Sequence, residues 1–285
     1  MDMRNKNIAI TGPTAGIGRS AALTLASQGA ILTLLCRNLE KGEELSREIV
    51  AAGGAAPSLV HLDMASLASV REAAQACITA GRPFDVLLNN AGLMNTSRRT
   101  TVDGYEETLA VNHFAPFLLT GLLLPALLEA PQARIVNVAS AAHAFVRSMN
   151  FDDMQAEKNF RSWREYGRSK LANILFTRSL AQRLAQHPIT VNSLHPGAVA
   201  TSLGQQNEGL LKNIAPVFLK LFFRSPDKGA ETSLYLCTSD DVASVSGEYF
   251  ADCKQTRAKP WGRDDAAAEQ LWRYTEECVD FHYPV

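Results

Sequence analysis

The sequence predicts a doubly wound α/β fold, with a parallel sheet of about seven strands and helices on both faces. Short apolar runs alternate with longer segments of helical character along most of the chain. Strands that alternate with helices of this length are typical of βαβ units and parallel sheets. One run, Ile31-Leu-Thr-Leu-Leu35, is apolar at nearly every position, as expected of a strand that is buried on both faces.

In chain order, the apolar runs predict strands at residues 8–10, 31–35, 58–62, 86–88, 134–138, 190–194 and 248–250. The helical segments between them are predicted at residues 17–28, 39–52, 67–81, 105–128, 163–186 and 226–238. The longest apolar stretch, residues 114–128, has about 15 residues and contains Pro116 and Pro125, whereas a membrane span needs about 20. We therefore expect a buried helix here and no transmembrane segment.

Composition favours a compact soluble protein. Lysine and arginine number 28 against 29 for aspartate and glutamate, a formal net charge of −1, so no global field draws the chain to nucleic acid or anionic lipid. Hydrophobic residues make up 46% and charged residues 20%, which is enough to bury a large core. No repeat, low-complexity tract or linker divides residues 1–285, and this predicts one domain.

Cysteine usage and the N-terminal residues predict a cytoplasmic protein. The five cysteines are odd in number and form no C-x-x-C motif, which argues against a disulfide framework and a zinc cluster. No metal site is therefore expected. Residues 1–6 are polar and pass directly into the first apolar run, which leaves no room for the apolar region of a signal peptide.

A glycine-rich turn, Thr11-Gly-Pro-Thr-Ala-Gly-Ile-Gly18, joins the first predicted strand to the first helix. Its glycines follow the spacing G-x-x-x-G-x-G rather than G-x-G-x-x-G. Glycines let the backbone turn sharply and approach a pyrophosphate, which then lies against the free N–H groups of a helix N-terminus. Taken alone, the pattern also fits an ordinary tight turn between a strand and a helix.

Two arginines near this turn favour NADP(H) over NAD(H). Sites selective for NAD carry an acidic residue about 20 positions beyond the glycines, and residues 30–38 contain none. Arg37 follows the second predicted strand, and Arg19 follows Gly18. The planar guanidinium of arginine suits a 2′-phosphate. The alternative is that both arginines are solvated surface residues.

Tyr166 and Lys170 form a pair suited to proton transfer. Their spacing of four places both side chains on one face of a helix, one turn apart. A free tyrosine has a pKa of about 10, and a lysine ammonium about 4 Å away lowers it by roughly 3 units at an effective dielectric constant of about 20. The lowered pKa would suit general acid–base catalysis. Alone, Tyr-x-x-x-Lys is more often an ordinary surface pair.

In combination, these motifs resemble the short-chain dehydrogenase/reductase family. The matching set, in chain order, is Thr11 to Gly18, Asn89-Asn-Ala-Gly92, Asn112, Ser140 and Tyr166 with Lys170. The resemblance extends from about Asn7 into the C-terminal region. Longer strings are similar to the retinol-dehydrogenase-like branch, which mostly uses NADP(H): Val111-Asn-His-Phe114, Arg134-Ile-Val-Asn-Val-Ala-Ser140, Leu171-Ala-Asn-Ile-Leu-Phe-Thr177, His195-Pro-Gly197 and Ser246-Gly-Glu-Tyr-Phe250.

The resemblance implies a Rossmann-type fold and a role for each catalytic candidate. Tyr166 would donate or accept the proton, and Ser140 would hold the substrate oxygen. Lys170 would lower the tyrosine pKa and hold the nicotinamide ribose, while Asn112 would anchor a water that links the lysine to solvent. Outside this set, Ser140 would be a strand-end hydroxyl, and Asn112 a helix residue that bonds nearby backbone.

The resemblance also implies a cofactor site. Asp63, with Met64 beside it, would face the adenine, although Asp63 fits a helix cap equally well. His143 and His195 have no assigned role. The other cofactor candidates are Gly12, Thr14, Ala15, Gly16, Ile17, Gly18, Arg19, Arg37, Asn89, Ala91, Gly92, Tyr166, Lys170, Pro196, Gly197, Val199 and Thr201.

Two insertions, residues 141–162 and 198–225, follow strands at the sheet edge where ligands bind in open α/β proteins. The second would be the substrate loop, and its apolar stretch at 217–223 favours a hydrophobic retinoid, steroid or long-chain carbonyl. An ordinary buried helix fits that stretch equally well, and a shallow membrane contact is a third interpretation. The 26 residues from Ser140 to Tyr166 leave the path of the first insertion open.

The predicted function is NADP(H)-dependent interconversion of a carbonyl and an alcohol, with Tyr166 as the general acid or base. The alternative is a non-catalytic NADP(H)-binding redox sensor or scaffold of the same fold, and a nucleotide-sugar epimerase or dehydratase ranks third. Members of the family commonly form dimers or tetramers through the helices predicted here at 105–128 and 163–186. A homodimer or homotetramer that binds a small hydrophobic carbonyl or alcohol is therefore expected.

Overall fold

The strands that the structure describes lie in one sheet. A computed structural model describes residues 2–197 and 225–285, and within them the sheet has eight strands. They are β1 (Asn7–Thr11), β2 (Ile31–Cys36), β3 (Ser58–His61), β4 (Val86–Asn89), β5 (Ala133–Val138), β6 (Ile189–His195), β7 (Tyr249–Ala251) and β8 (Lys254–Thr256). The predicted α/β fold with a largely parallel sheet is confirmed.

The strand order is β3-β2-β1-β4-β5-β6-β7-β8. Strands β1 to β7 pair in parallel, and β8 pairs antiparallel with β7 at the edge of the sheet. The sequence does not predict this eighth strand, because its hairpin turn is formed by Asp252 and Cys253 at φ values of 50° and 58°. Such a turn usually carries glycine or asparagine, and neither residue is present here.

Strand β1 lies beside β4, although β2 and β3 come between them in the chain. Ile8 of β1 pairs with Leu32 on one side and with Val86 on the other. The chain therefore builds the sheet outward in one direction through β3 and then returns to build it in the other direction. In such sheets the ligand crevice lies outside the carboxyl ends of the strands, at this point of reversal.

The helices described by the structure cover both faces of the sheet. They are α1 (Gly16–Ser27), α2 (Leu39–Ala51), α3 (Leu67–Thr79), α4 (Glu107–Leu128), α5 (Ser162–Arg183), α6 (Pro226–Thr238) and α7 (Asp265–Val279). One buried cluster joins α3, α4, α5 and α7 to the sheet, and a second cluster joins α1, α2 and α6 to it. Continuous apolarity in the central strands follows from this burial on both faces.

Helix α4 is long and apolar enough to cross a membrane, but it is packed inside the protein. Of its most apolar 18-residue window, 78% is buried. Its first turn is capped by Glu106, whose carboxylate accepts hydrogen bonds from Thr108 N and Leu109 N. The helix therefore starts two residues later than the predicted residue 105. Its burial agrees with the predicted core helix.

The C-terminal helix α7 is absent from the sequence predictions and covers α4 and α5. The ring of Trp272 on α7 lies 4.9 Å from that of Phe117 and 5.9 Å from that of Phe176. Tyr283 packs 4.7 Å from Trp272 and donates a hydrogen bond of 2.7 Å to the carbonyl oxygen of Phe117. Part of the surface of α4 and α5, the helices expected to mediate assembly, is therefore covered within the same chain, and the homo-oligomer stays a prediction.

Candidate active site

The glycine-rich turn joins β1 to α1 in a conformation that depends on its glycines. Gly12 and Gly16 have φ values of 63° and 53°, in the left-handed region that favours glycine. A Cβ atom on Gly18 would lie 2.3 Å from the carbonyl oxygen of Gly12 and 2.4 Å from Nδ2 of Asn90. No side chain larger than glycine therefore fits at position 18 without moving backbone.

The N-terminus of α1 has the properties of an anion site. The cap residue, Ala15, offers no side-chain acceptor, and the first turn of the helix carries no acidic residue. The first N–H groups of the helix are therefore not satisfied by a capping side chain and lie at the positive end of the helix dipole. The glycine cradle and these donors fit the pyrophosphate of a dinucleotide.

Asn90 holds the glycine-rich turn against the end of β4. Its Nδ2 donates to the carbonyl oxygens of Thr11 and Gly12, at 2.9 and 3.1 Å. The Thr11 hydroxyl accepts from Asn90 N and Ala91 N, at 3.0 and 2.9 Å. Asn90 is missing from the predicted site residues, although it lies within the Asn89–Gly92 string that signalled the site.

Asn89 belongs to the string that was expected to line the cofactor and brace the sheet, and its side chain turns into the protein. Its Nδ2 donates to Oγ1 of Thr120 at 3.0 Å and to Oδ1 of Asn137 at 2.8 Å, and all three side chains are buried. Neighbouring residues of a strand point to opposite faces of the sheet. The side chain of Asn89 therefore braces β4 against β5 and α4.

The two arginines expected to select the cofactor differ in their surroundings. Arg37 is exposed directly after β2, and no ion-pair partner faces it within the described ranges 2–197 and 225–285. Arg19 forms an ion pair with Glu48 of α2. Arg37 is therefore free to meet an anion, whereas Arg19 would first have to leave Glu48.

Asp63 and Met64 follow β3. The carboxylate of Asp63 accepts a hydrogen bond from Ala65 N at 3.0 Å, so it closes the turn before α3. The cap of α3 is Ser66, whose hydroxyl accepts from Ser69 N. Met64 is buried in the core. The suggested helix-cap role of Asp63 is thus wrong in detail, and its role toward an adenine stays a prediction.

The structure brings Ser140, Tyr166 and Lys170 together at the carboxyl end of β5. The Ser140 side chain lies close enough to the Tyr166 hydroxyl to affect its pKa. Nζ of Lys170 lies 5.8 Å from the centre of the Tyr166 ring and donates to the carbonyl oxygen of Val138 at 3.0 Å. The predicted i, i+4 pair is therefore buried on the inner face of α5 rather than solvated at the surface.

Asn112 joins this group through a π-helical turn of α4, residues Ala110–Phe114. Such turns are frequent at functional sites. Nδ2 of Asn112 donates to the Leu93 carbonyl and to Oγ of Ser169, both at 2.9 Å, and Oδ1 accepts from Leu93 N at 2.8 Å.

Gly92 packs between Asn112 and Lys170. A Cβ atom on Gly92 would lie 3.2 Å from both Oδ1 of Asn112 and Nζ of Lys170. This close approach links the string after β4 to the catalytic candidates of α4 and α5. All four of those candidates, Asn112, Ser140, Tyr166 and Lys170, therefore belong to one contiguous group.

Burial dominates the electrostatics of this group. It lowers the pKa of the Lys170 ammonium from 10.5 to about 8. It also raises the pKa of Tyr166, and the Ser140 side chain opposes this only in part. The net shift of the Tyr166 pKa is therefore upward, because loss of solvent around the phenol outweighs the other contributions. The expected role of Lys170 toward the tyrosine stays a prediction.

The insertion after Ser140 follows a defined path. The Ser140 hydroxyl accepts from Ala142 N at 3.1 Å and caps a short 3-10 helix, Ala141–Phe145. Further along, buried Arg168 of α5 donates to the carbonyl oxygens of Met149, Asn150 and Asp153. An ion pair of 2.6 Å with Glu165 holds this guanidinium. The insertion is thus anchored to the helix that carries Tyr166.

The last predicted cofactor residues lie at the carboxyl end of β6. Gly197 has a φ of 81° and its N–H donates to Nδ1 of His195 at 3.0 Å, so Pro196 and Gly197 turn away from the strand there. Val199 and Thr201, the substrate loop from residue 198 and the apolar stretch at 217–223 lie outside the described residues. Their assignments stay predictions.

Several curated proteins of similar sequence are retinol dehydrogenases. The mouse protein named retinol dehydrogenase 14 is 41% identical over 97% of this chain and 86% of its own length. The human protein named retinol dehydrogenase 13 is 38% identical over 98% of this chain and 86% of its own length. The prediction of a cytoplasmic protein is wrong, because these relatives are membrane-associated.

Solved structures share the fold over most of the chain. An uncharacterised protein from Mycobacterium paratuberculosis superposes with a TM-score of 0.80, is 29% identical, and covers 100% of this chain and 98% of its own. A short chain dehydrogenase from Shigella flexneri, solved in complex with NADP, has a TM-score of 0.68 and 26% identity. It covers 88% of this chain and 98% of its own.

The sequence pattern of the short chain dehydrogenase family matches residues 6–209 of this chain. That span contains the glycine-rich turn, the Asn89–Gly92 string and all four catalytic candidates. Together with the retinol dehydrogenases of similar sequence, this match confirms the resemblance. The chain is an oxidoreductase of the short-chain dehydrogenase/reductase family and belongs to its retinol-dehydrogenase-like branch.

Proposed function

We propose that this protein interconverts a carbonyl and an alcohol on a hydrophobic, retinoid-like substrate and uses NADP(H) as its cofactor. The observation that carries the proposal is the grouping of Ser140, Tyr166 and buried Lys170 at the carboxyl end of the sheet. That edge also holds the glycine-rich turn and the uncapped N-terminus of α1. The oxygen-binding and cofactor-binding groups therefore share one crevice.

The side chains divide the work of carbonyl reduction. The bound nicotinamide supplies the hydride in reduction and accepts it in oxidation. The Ser140 hydroxyl holds the carbonyl oxygen, and the Tyr166 hydroxyl donates its proton to that oxygen as negative charge develops there. Because burial raises the pKa of Tyr166, its neutral, proton-donating form predominates at neutral pH. Alcohol oxidation is the reverse of each step.

Lys170 and Asn112 support Tyr166 from behind. Lys170 has a pKa of about 8, so its ammonium form still predominates at pH 7 and favours the phenolate that remains after proton donation. Asn112 fixes the string after β4 through its bonds to the Leu93 backbone. In our proposal these bonds keep Gly92 close to Lys170. The Lys170 ammonium then passes a proton to the Tyr166 phenolate and regains one from solvent, through the water expected at Asn112.

Arg37 is the residue proposed to select NADP(H). It is exposed directly after β2, the strand whose end would carry an acidic residue in a site selective for NAD. Arg19 is a weaker candidate because Glu48 already holds its guanidinium. The NADP-bound relative of known structure supports this cofactor class.

Two exposed aromatic residues support a hydrophobic substrate. Phe145 ends the 3-10 helix capped by Ser140 and is 77% exposed, and Trp163 lies at the start of α5 and is 64% exposed. A Cβ atom on Gly167 would lie 3.1 Å from Cγ1 of Val146, and Trp163 is one turn before Gly167 on the same face of the helix. Both aromatic residues therefore lie close in the chain to the residues of this contact, and we propose that their exposed rings contact the apolar part of the substrate.

The experiment measures NADPH oxidation against carbonyls graded from acetaldehyde to retinal, with Tyr166→Phe as the comparison. We expect a rate that increases with apolar size. The Phe variant should lose turnover by about 10³-fold, because the general acid is gone, while its NADPH affinity stays within about twofold of the wild type. Residual activity above a few per cent would remove Tyr166 from its role.

The same assay separates the enzyme from a redox sensor or scaffold. A sensor would bind NADPH and turn over no member of the series. The single domain predicted for residues 1–285 is part of the proposal, and the sheet that runs from β3 to β8 supports it. One cooperative unfolding transition, displaced upward by NADPH, would agree with one domain.

A further inference from the structure

We propose that His143 is a positioning residue that fixes the Ser140 turn and ties it to the C-terminal segment 258–263. The inference rests on the proposed function, because it concerns the geometry of the same oxygen-binding hydroxyl. His143 is buried in the 3-10 helix that follows Ser140. No sequence motif gives it a role.

The hydrogen bonds of His143 determine which of its ring nitrogens carries the proton. Nδ1 lies 2.7 Å from the carbonyl oxygen of Ser140, which can only accept, so Nδ1 donates. Nε2 lies 3.3 Å from Lys259 N, which can only donate, so Nε2 accepts. The ring is therefore the neutral Nδ1–H tautomer, and a protonated ring would lose the bond to Lys259.

Hydrogen bonds from His143 fix the Ser140 carbonyl, and a further bond fixes His143 itself. The Ser140 carbonyl also accepts from His143 N at 3.2 Å, so residue 143 contributes two donors to one oxygen. The indole N–H of Trp261 donates to the His143 carbonyl at 2.8 Å. The short helix after Ser140 is thus clamped to the segment that follows β8.

The C-terminal segment is itself packed on the catalytic helix. A Cβ atom on Gly262 would lie 3.4 Å from Cγ2 of Ile174 and 3.7 Å from Cδ1 of Leu171, both on α5. Ala258 joins a small buried cluster with Ile174 and Tyr249, and the Tyr249 ring stands 5.1 Å from that of His143. His143 therefore connects the backbone of Ser140 to the helix that bears Tyr166.

This connection matters because Ser140 and Tyr166 come from different elements. Ser140 follows β5, and Tyr166 lies in the first turns of α5. Their hydroxyls must both reach one substrate oxygen, and a misplacement of about 1 Å in such a pair costs up to about 10²-fold in rate. Removal of the Nδ1 donor should loosen Ser140 without touching the cofactor-binding turn.

Three variants at position 143 separate the two hydrogen bonds. His143→Asn places a donor near the position of Nδ1, His143→Gln places an acceptor near that of Nε2, and His143→Ala removes both. We expect kcat for a carbonyl to fall about tenfold or more in the Ala and Gln variants and to stay within about threefold in Asn. The Kd for NADPH should stay within about twofold in all three.

Thr275→Val is the matched control. It removes a buried 3.0 Å hydrogen bond from the other buried histidine, His113, on the far side of α4. We expect it to lower the melting temperature and leave kcat unchanged. If the Ala, Gln and Asn variants all keep the wild-type kcat, or all lose it equally, His143 does not act through its Nδ1 bond and the proposal is overturned.

A second measurement does not depend on turnover. The Ser140 side chain lowers the pKa of Tyr166, so displacement of Ser140 should raise it. Tyrosine ¹³Cζ chemical shifts followed against pH should show a higher Tyr166 pKa in His143→Ala than in the wild type, and no change in His143→Asn. An unchanged pKa in His143→Ala overturns the positioning role, even if the wild type reduces no carbonyl and the proposed function fails by itself.

Discussion

The crevice has a cofactor end, formed by the glycine-rich turn and the N-terminus of α1, and a catalytic end, formed by Asn112, Ser140, Tyr166 and Lys170. The two ends are built in opposite ways. At the cofactor end, the shape comes from side chains that are absent: a Cβ on Gly18 would lie 2.3 Å from the Gly12 carbonyl, and Ala15 leaves the helix N-terminus uncapped. At the catalytic end, polar side chains are buried and hydrogen-bonded to other side chains and to backbone carbonyls. The first end depends on backbone geometry, and the second on tertiary packing.

Substitutions at the two ends should therefore have different effects. Changes at the cofactor end should act on cofactor affinity or choice and leave the substrate preference alone. Changes at the catalytic end should act on kcat or substrate preference and leave cofactor choice alone. Lys170 faces both ends, because it lies beside Gly92 and behind Tyr166.

Lys170→Met should produce the largest effect. It should lower the activity and raise the free energy of unfolding. We expect turnover to fall by about 10³-fold, because the variant loses the cation that favours the phenolate. The folded chain holds this lysine with a pKa of about 8 instead of 10.5, which corresponds to about 3 kcal/mol of destabilisation at pH 7. Val138 O keeps a donor in Asn173 Nδ2, at 3.3 Å. Chemical denaturation should therefore show a gain in stability.

The pH dependence checks the origin of that gain. Between about pH 8 and 10.5 the unfolded chain binds the lysine proton and the folded chain loses it, so the free energy of unfolding should rise with pH across this window. The Met variant should lack that rise. Lys254→Met, which removes an exposed lysine of β8, is the control and should keep it. A rise that persists in Lys170→Met would place the titrating group elsewhere.

Arg37→Asp should change cofactor choice by about 100-fold and leave the substrate preference intact. The exposed guanidinium after β2 would be replaced by a carboxylate that repels a 2′-phosphate, and a 100-fold change in the NADPH to NADH affinity ratio corresponds to about 2.7 kcal/mol. The measurement is a fluorescence titration with each cofactor. Glu48→Gln, which releases Arg19, is the comparison. An unchanged ratio in Arg37→Asp would disprove the assignment.

The comparison of the two ends also explains what the sequence could predict. The glycine-rich turn and the seven parallel strands follow from local rules, because glycine spacing and apolar runs are contiguous in the chain. Tyr166 and Lys170 are visible as an i, i+4 pair, and their order with Asn112 and Ser140 identified the family. The sequence pattern was sufficient to predict those features whose geometry is set by residues close together in the chain.

Other features depend on contacts between residues that are distant in the chain. Asn89 and Asn90 are adjacent in one motif, yet one faces the core and the other the glycine turn. His143 meets Lys259 and Trp261 across more than 100 residues, and no spacing rule connects them. Burial raises the pKa of Tyr166, which no pairwise estimate from helical spacing could show. The tertiary environment decided each of these.

The smallest effect is expected at the rim of the catalytic end, where Phe145 and Trp163 are exposed. If these rings contact the apolar part of a large substrate, the double variant Phe145→Ser, Trp163→Ser should lose contacts worth about 1 kcal/mol, or about fivefold in kcat/KM. The loss should appear with retinal and vanish with acetaldehyde, which is too short to reach both the rings and the Ser140 hydroxyl.

Ile78→Ser is the matched control, because Ile78 is an exposed apolar residue near the end of α3, at the sheet edge opposite the crevice. The control should leave kcat/KM unchanged for both aldehydes, and neither variant should alter the Kd for NADPH. An equal loss with retinal and acetaldehyde would mean that the aromatic pair supports the Ser140 turn itself. Substrate preference would then depend on the remainder of the crevice, and the exposed rings would belong to the packing of the catalytic end rather than to its specificity.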